Sequence, residues 1–438
     1  MIQNVTVKKL FGLYDYNISF LPEPAVKIIT GPNGYGKTSL LIAINHLFRR
    51  DFWFFHFLEF ETFKIELSEQ TIMINKSRIV NHNDSDELKL DVSDEGIYEE
   101  SIVLFDSKGK QIEQFIMKDE YIQYLYSCAK SKASREAFNT RIDDLIAKYY
   151  YIDEDNYIQQ HCKNISLALQ ENETVYLPAQ RLYVRELDPS YPFRYPHYSY
   201  EIDHVNEQIS KLYQSAQNSF AAESQRIDAT FISRLIQKSD EYSEKEIGSK
   251  LEELKSTIEG YKELNLITNM EILDYSSENK KSYDEFKKVL SLYIDDMNKK
   301  MKRFEDLYRK ISLYKQVVTS KVLSEKTIEF CDTGLKIINK NGRKLTDLHK
   351  LSSGEQNLLI LYFNLIFKSR SNTILLIDEP ENSIHVAWLS KMLNDYIEMA
   401  NTTGCQIILA THSPTFIDGR WDLCTDLYRQ YKGKDTNE

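Results

Sequence analysis

The sequence predicts an α/β fold with a long helical segment set into it, and three observations predict it. Ala25-Val26-Lys27-Ile28-Ile29-Thr30 is a short apolar run of strand type. It leads into Gly31-Pro32-Asn33-Gly34-Tyr35-Gly36-Lys37-Thr38, an unbroken G-x-x-x-x-G-K-[ST], and then into the helically spaced Ser39 to Phe48. Two further apolar runs, Asn372 to Ile377 and Gln406 to Thr411, each end on polar residues: Asp378-Glu379 in one case, His412 in the other. Between about 200 and 320 the period changes to near 3.5.

Each element has a chemical reason. Gly31, Gly34 and Gly36, with Asn33 between them, let the backbone curl until successive N–H groups face one anion. The helix opening at Lys37, Thr38 and Ser39 aims its positive end at the same charge. Lys37 is placed for β- and γ-phosphates and Thr38 for Mg²⁺, which makes ATP and Mg²⁺ the expected ligands. The plain alternative is a glycine turn between strand and helix. Asp378, at a strand's C-terminal end beside such a loop, suits Mg²⁺, and Glu379 is placed to polarise a water. Alone, these are two acids at the mouth of a buried strand. His412 follows a third strand on the face where α/β sheets bind ligands, before Ser413-Pro414. Ser352-Ser353-Gly354-Glu355 precedes the apolar run Asn357 to Phe367. It reads as a second anion cradle and equally as a capping box, Ser352 with Glu355 at N3. One nucleotide in one chain needs only one cradle. Two chains related by a twofold axis use both, each lending its second cradle to the other's nucleotide.

Taken together, the phosphate loop, Leu351-Ser352-Ser353-Gly354-Glu355, Asp378-Glu379 and His412 resemble the ABC-type ATPase superfamily. Within it they look like the SMC, Rad-fifty, RecF and OLD branch. Ser353 replaces the first glycine of the family's L-S-G-G-[QE], Glu355 is the SMC-like ending, and Asp378-Glu379-Pro380-Glu381-Asn382 is similar to the OLD-like D-E-P-E. Lys8 to Tyr14 also looks like the first strands of such proteins. The resemblance implies an ABC-type ATPase head with a mixed sheet, an antiparallel β subdomain and a helical, coiled-coil-like insert. It implies Lys37 and Thr38 on phosphate and metal, Asp378 on the metal, and Glu379 as catalytic base. It further implies Ser352 and Gly354 acting across a dimer and His412 as the switch histidine. Glu381 to His385 stands in the position of the family's D-loop, the segment that meets the other copy, with His385 in place of its usual acid. Gln180, after Thr174-Val175-Tyr176-Leu177 and Pro178-Ala179, stands where the family places a metal-contacting glutamine.

The chain has 438 residues, too many for one simple core, and 42% hydrophobic residues, ample for a globular one. No apolar stretch reaches membrane-spanning length, and from the opening Met-Ile-Gln-Asn-Val-Thr no signal peptide is expected. The five cysteines, Cys128, Cys162, Cys331, Cys405 and Cys424, lack metal-ligand spacing and read as reduced cytoplasmic thiols. A net charge of −11 argues against whole-surface affinity for nucleic acid. The densest basic run, Lys299-Lys300-Met301-Lys302-Arg303, reads first as a solvated helix face.

The expected organisation is 1–199 and 321–438 as two parts of one nucleotide-binding head, with 200–320 as the insert. Phe- and Tyr-rich runs from Phe52 to Phe105 suggest antiparallel strands, including Phe63 to Leu67 and Thr71 to Ile74, around a polar turn at 81–86. Residues 118–148 read as helical and the tail from Lys432 as frayed. Phe286, Leu290, Tyr293, Met297, Phe304, Leu307, Ile311, Tyr314 and Val318 read as one seam roughly 50 Å long. Val205, Ile209, Leu212 and Leu251, Leu254, Ile258, Tyr261 form shorter seams. Such an insert either packs on its own head or offers a stalk to a partner.

The expected function is a cytoplasmic ATPase whose two copies close over ATP. Only 26 residues follow His412, so the nuclease domain that OLD-like ATPases often carry is not expected here. The resemblance to stand-alone ATPases of bacterial antiphage systems, PARIS-like or Septu-like, implies a separately encoded effector, a nuclease or toxin. The alternative is a DNA repair or maintenance ATPase of RecF or Rad-fifty type. A transporter ATPase is disfavoured by the long separation of phosphate loop and signature, and an inactive scaffold by intact Lys37, Asp378 and Glu379.

Overall fold

The computed structural model describes residues 1–78, 98–117, 161–186, 197–238, 241–268, 270, 286–321, 326–339, 341–342, 344–345 and 347–435. The expected turn at 81–86 and the helical stretch 118–148 lie outside the described residues. The chain divides into two compact units, Met1–Ser199 with Lys368–Glu438, and Tyr200–Phe367. Residues 321–367, expected with the head, therefore cluster with the helical unit.

The first unit is built on a five-stranded parallel sheet. Its order is Cys424–Asp426, Val26–Thr30, Gln406–Thr411, Thr373–Asp378 and Glu173–Leu177. All four pairings are parallel, with Ile377 opposite both Leu409 and Leu177, and Ala410 opposite Ile29. The three central strands are buried at every position, as a sheet covered on both faces requires. The register brings the C-terminal ends of these strands level, so Thr30, Asp378 and Thr411 open on one edge. That shared edge positions the site.

In the first unit the expected mixture of strand directions is divided between this parallel sheet and an antiparallel one. A separate antiparallel sheet of six strands begins with Ile2–Leu10 and Tyr14–Ser19 and continues through Thr62–Leu67, Gln70–Arg78, Tyr98–Asp106 and Gln111–Met117. Thr62–Leu67 alternates between half-buried and buried, the period-2 pattern of a strand with one covered face. The aromatic run at its start is different: Trp53–Phe57 is a helical turn, not a strand. Phe52 and Phe55 are fully buried there, and Phe55 packs on Phe60 and Phe63. The helix Lys37–Phe48 buries Leu40, Leu41, Ile44 and Leu47 in the same core as Ile374, Leu376 and Ile408.

The second unit is mostly helical. Glu201–Ala229, Phe231–Gln237, Glu244–Glu263, Lys287–Met301 and Glu305–Lys321 pack with a three-stranded antiparallel sheet and the helix Ser353–Phe363. The long seam is not one rod. It breaks at 302–304, where Phe304 turns inward, 1% exposed, against Phe220 and Tyr261. Leu290, Met297, Leu307, Ile311, Tyr314 and Val318 are buried, whereas Phe286 is 54% exposed. In the first helix Tyr213 takes the core position expected of Leu212; its hydroxyl donates to the Leu264 carbonyl at 2.7 Å. The tail is not frayed through Asp435, since Leu427–Asp435 is a helix. Among the described residues no helix is long and apolar enough to cross a membrane, and Cys162, Cys331, Cys405 and Cys424 are free thiols.

Candidate functional site

The phosphate loop joins Val26–Thr30 to Lys37–Phe48. Gly31, Gly34 and Gly36 have φ of 148°, 88° and 81°, values that side chains resist. At Gly36 a Cβ would also lie 2.9 Å from Leu10 Cδ2, so space and backbone both require glycine. Gly36 is the N-cap and no side chain caps the helix, which leaves its first amides to an outside acceptor. Asn33 and Gly34 are exposed and Ser39 is half-buried. Lys37 is 6% exposed; its Nζ donates to the carbonyls of Gly31 at 2.9 Å and Pro32 at 3.3 Å, folding it over the loop. Tyr35, inside the loop, packs against Tyr14, Tyr428 and Tyr431, and its carbonyl accepts from the Tyr16 hydroxyl at 2.9 Å.

Across the strand ends, Thr38 Oγ1 donates to Asp378 Oδ2 at 2.9 Å. Asp378 Oδ1 is buried and, among the described residues, has no hydrogen-bond partner. A hydroxyl beside a carboxylate with one unsatisfied oxygen is a donor set that suits a hard cation such as Mg²⁺. Burial pushes the Asp378 carboxyl above its usual range, with Thr38, Lys37 and Arg181 opposing that rise.

Glu379 follows in the left-handed region, φ 45°. Its carboxylate meets His412 Nδ1 at 2.6 Å. Burial first, then the neighbouring Glu381, raises its pKa to about 7, with His412 pulling the other way. Glu379, Glu381 and His412 gather their ligand atoms within 4.8 Å of one another. Glu381 is held by a hydrogen bond from the Thr411 hydroxyl, and among the described residues its buried Oε2 has no hydrogen-bond partner. The arrangement can hold a phosphate chain at the loop, a cation at Thr38 and Asp378, and a water at Glu379.

The sequence reading brought Lys37, Thr38, Asp378, Glu379 and His412 together, and all five stand on one edge of the parallel sheet. Gln180 is exposed, whereas its neighbour Arg181 is 3% exposed and turned inward. Arg181 Nη2 donates to the carbonyls of Asp378 at 3.3 Å and Glu379 at 2.6 Å. Sequence reasoning missed this residue; its one signal was adjacency to a strand that ends beside Asp378. His385 is exposed.

Ser352 and Gly354 belong to the second unit. Ser352 is the N-cap of Ser353–Phe363 in a complete capping box: its Oγ accepts from Glu355 N at 3.3 Å, and Glu355 Oε2 accepts from Ser352 N at 2.9 Å. Lys326 Nζ pairs with Glu355 Oε1 at 2.6 Å. Burial raises the Glu355 pKa, but Lys326 and Ser352 outweigh it and hold the carboxyl below its usual range.

Fold and site define a P-loop protein of the α/β class, with a parallel sheet presenting a phosphate loop, an aspartate and a glutamate at one edge. The chain belongs to the AAA ATPase domain family, whose model matches residues 1–417. No curated protein matches the sequence. Two solved structures are similar at low level: the Smc head domain with an extended coiled coil bound to the C-terminal domain of ScpA derived from Pyrococcus furiosus, and the SmcHead bound to the C-winged helix domain of ScpA. Identities are 13% and 12% and TM-scores 0.36 and 0.34, each over 95% of this chain and 90% of the other. At those scores the likeness carries no argument.

Proposed function

We propose that this chain hydrolyses ATP, and that two copies close over two nucleotides and reopen after turnover. The observation that supports it most is the Thr38–Asp378 hydrogen bond at 2.9 Å with Asp378 Oδ1 left unsatisfied and Glu379 one residue on. In this reading the loop amides and Lys37 bind the phosphates. Thr38 and Asp378 hold Mg²⁺, and Gln180 is a further proposed contact from an exposed position. Mg²⁺, when bound, supplies positive charge to the phosphate oxygens. Glu379, with a pKa of about 7, orients the water and accepts its proton, and His412 holds the Glu379 carboxylate and senses the terminal phosphate. Ser352 and Gly354 of one copy complete the phosphate site of the other.

What turnover controls is the finer part of the proposal. The reading is that dimer closure holds or releases a separately encoded effector, a nuclease or toxin, in antiphage defence. It rests on the resemblance of the motifs. The test of the enzymatic core is phosphate release by purified protein with ATP and Mg²⁺. Glu379→Gln is expected to retain ATP binding and lose at least about a hundredfold in kcat, since it keeps the shape and removes the base. Turnover unchanged in that variant refutes the reading.

A further inference from the structure

We infer that Arg181 is the positioning residue for Glu379: its guanidinium fixes the backbone turn that aims the Glu379 carboxylate. The inference rests on the ATPase reading above.

The sheet brings the two residues together. Glu173–Leu177 and Thr373–Asp378 are parallel neighbours with Leu177 opposite Ile377, so the two chains leave the sheet side by side. Four residues past Leu177, Arg181 reaches across and its Nη2 bonds to two successive carbonyls, Asp378 and Glu379. The second contact, at 2.6 Å, is the shorter. The Glu379 carbonyl also accepts from Asn382 N at 3.1 Å, and Asn382 Nδ2 donates to the Ala179 carbonyl at 3.1 Å. The two loops are thus laced at three points around Glu379.

That residue carries strain. Glu379 has φ 45°, a conformation that residues other than glycine resist and that persists only where the surroundings impose it. Its N–H continues the sheet, donating to the Ala410 carbonyl at 2.8 Å. Its carbonyl is fixed by Arg181 and Asn382. With both ends held, the Cα–Cβ bond of Glu379 keeps the direction from which its carboxylate meets His412 at 2.6 Å. Releasing the carbonyl lets φ and ψ relax together and turns that bond away.

The cost of Arg181 points the same way. It is buried, and among the described residues its Nε and Nη1 have no hydrogen-bond partner. A buried guanidinium bonded through one nitrogen opposes stability. What it supplies is a fixed turn and a positive charge beside Asp378 and Glu381.

Arg181→Met and Arg181→Lys, alone and combined with Glu379→Gln, test this in the full-length chain. ATP affinity is read with a fluorescent nucleotide analogue and turnover by phosphate release under single-turnover conditions. Arg181→Met is expected to lower kcat at least tenfold with the nucleotide Kd within twofold of wild type. Arg181→Lys is expected to recover part of the loss. In the Glu379→Gln background the Arg181 change is expected to lower the residual rate no further, because it acts through Glu379. Turnover of Arg181→Met within twofold of wild type overturns the inference. So does a full extra loss in the Glu379→Gln background, which marks a structural role. Should Arg181→Met fail to fold, Arg181→Lys is read in its place, by the same rate and the same combination. A failed ATPase reading appears separately, as wild-type turnover in Glu379→Gln alone.

Discussion

Glu379 sits in electrostatic conflict with its surroundings, half-buried beside a second carboxylate. Burial and Glu381 lift its carboxyl to about 7, against an ordinary 4.5. The native state therefore binds a proton more readily than the unfolded chain between those values. Stability contributed by this group is present at low pH and lost as pH rises from about 4.5 to about 7. Glutamine in its place does not titrate. Glu379→Gln is expected to gain on the order of 1–3 kcal/mol over wild type at pH 8, and much less at pH 5. Melting temperatures of both proteins at the two pH values check this; an equal difference at both means that the conflict is absent. The phosphate loop, Asp378, Glu379 and His412 were legible because each is a chemical type at a strand end, and strand ends are marked by apolar runs. Arg181 was not. A single arginine after a glutamine has no periodicity or spacing, and only the register of Leu177 with Ile377 brings it to the Glu379 carbonyl.

Among elements, strands and caps were read more truly than helix continuity. Alternation in Thr62–Leu67 and the capping box at Ser352 are local rules obeyed locally. The break at 302–304 was hidden because Met301 and Phe304 keep an apolar spacing that an unbroken helix would also show. The cause is tertiary: Phe304 fills the space between Phe220 and Tyr261, at ring distances of 5.1 and 5.8 Å. Phe304→Ala is expected to cost about 3–5 kcal/mol, the range for a fully buried aromatic. Urea denaturation followed by circular dichroism at 222 nm measures it. A loss under about 1 kcal/mol means the corner does not depend on that ring. Trp53–Phe57 shows the converse error, since aromatic residues favour strands on average and helix here.

At the scale of the whole molecule, the chain is one unit carrying the phosphate loop and another carrying Ser352 and Gly354. A family of ATPase domains accounts for residues 1–417. The proposed work of the protein needs both units, contributed by different copies. The central claim is that ATP joins two chains, and the most direct measurement is the solution mass of Glu379→Gln by light scattering, with and without ATP and Mg²⁺. Doubling of the mass on adding ATP, abolished by Ser352→Arg, is the predicted result. A mass of one chain, near 51.5 kDa, under both conditions contradicts it.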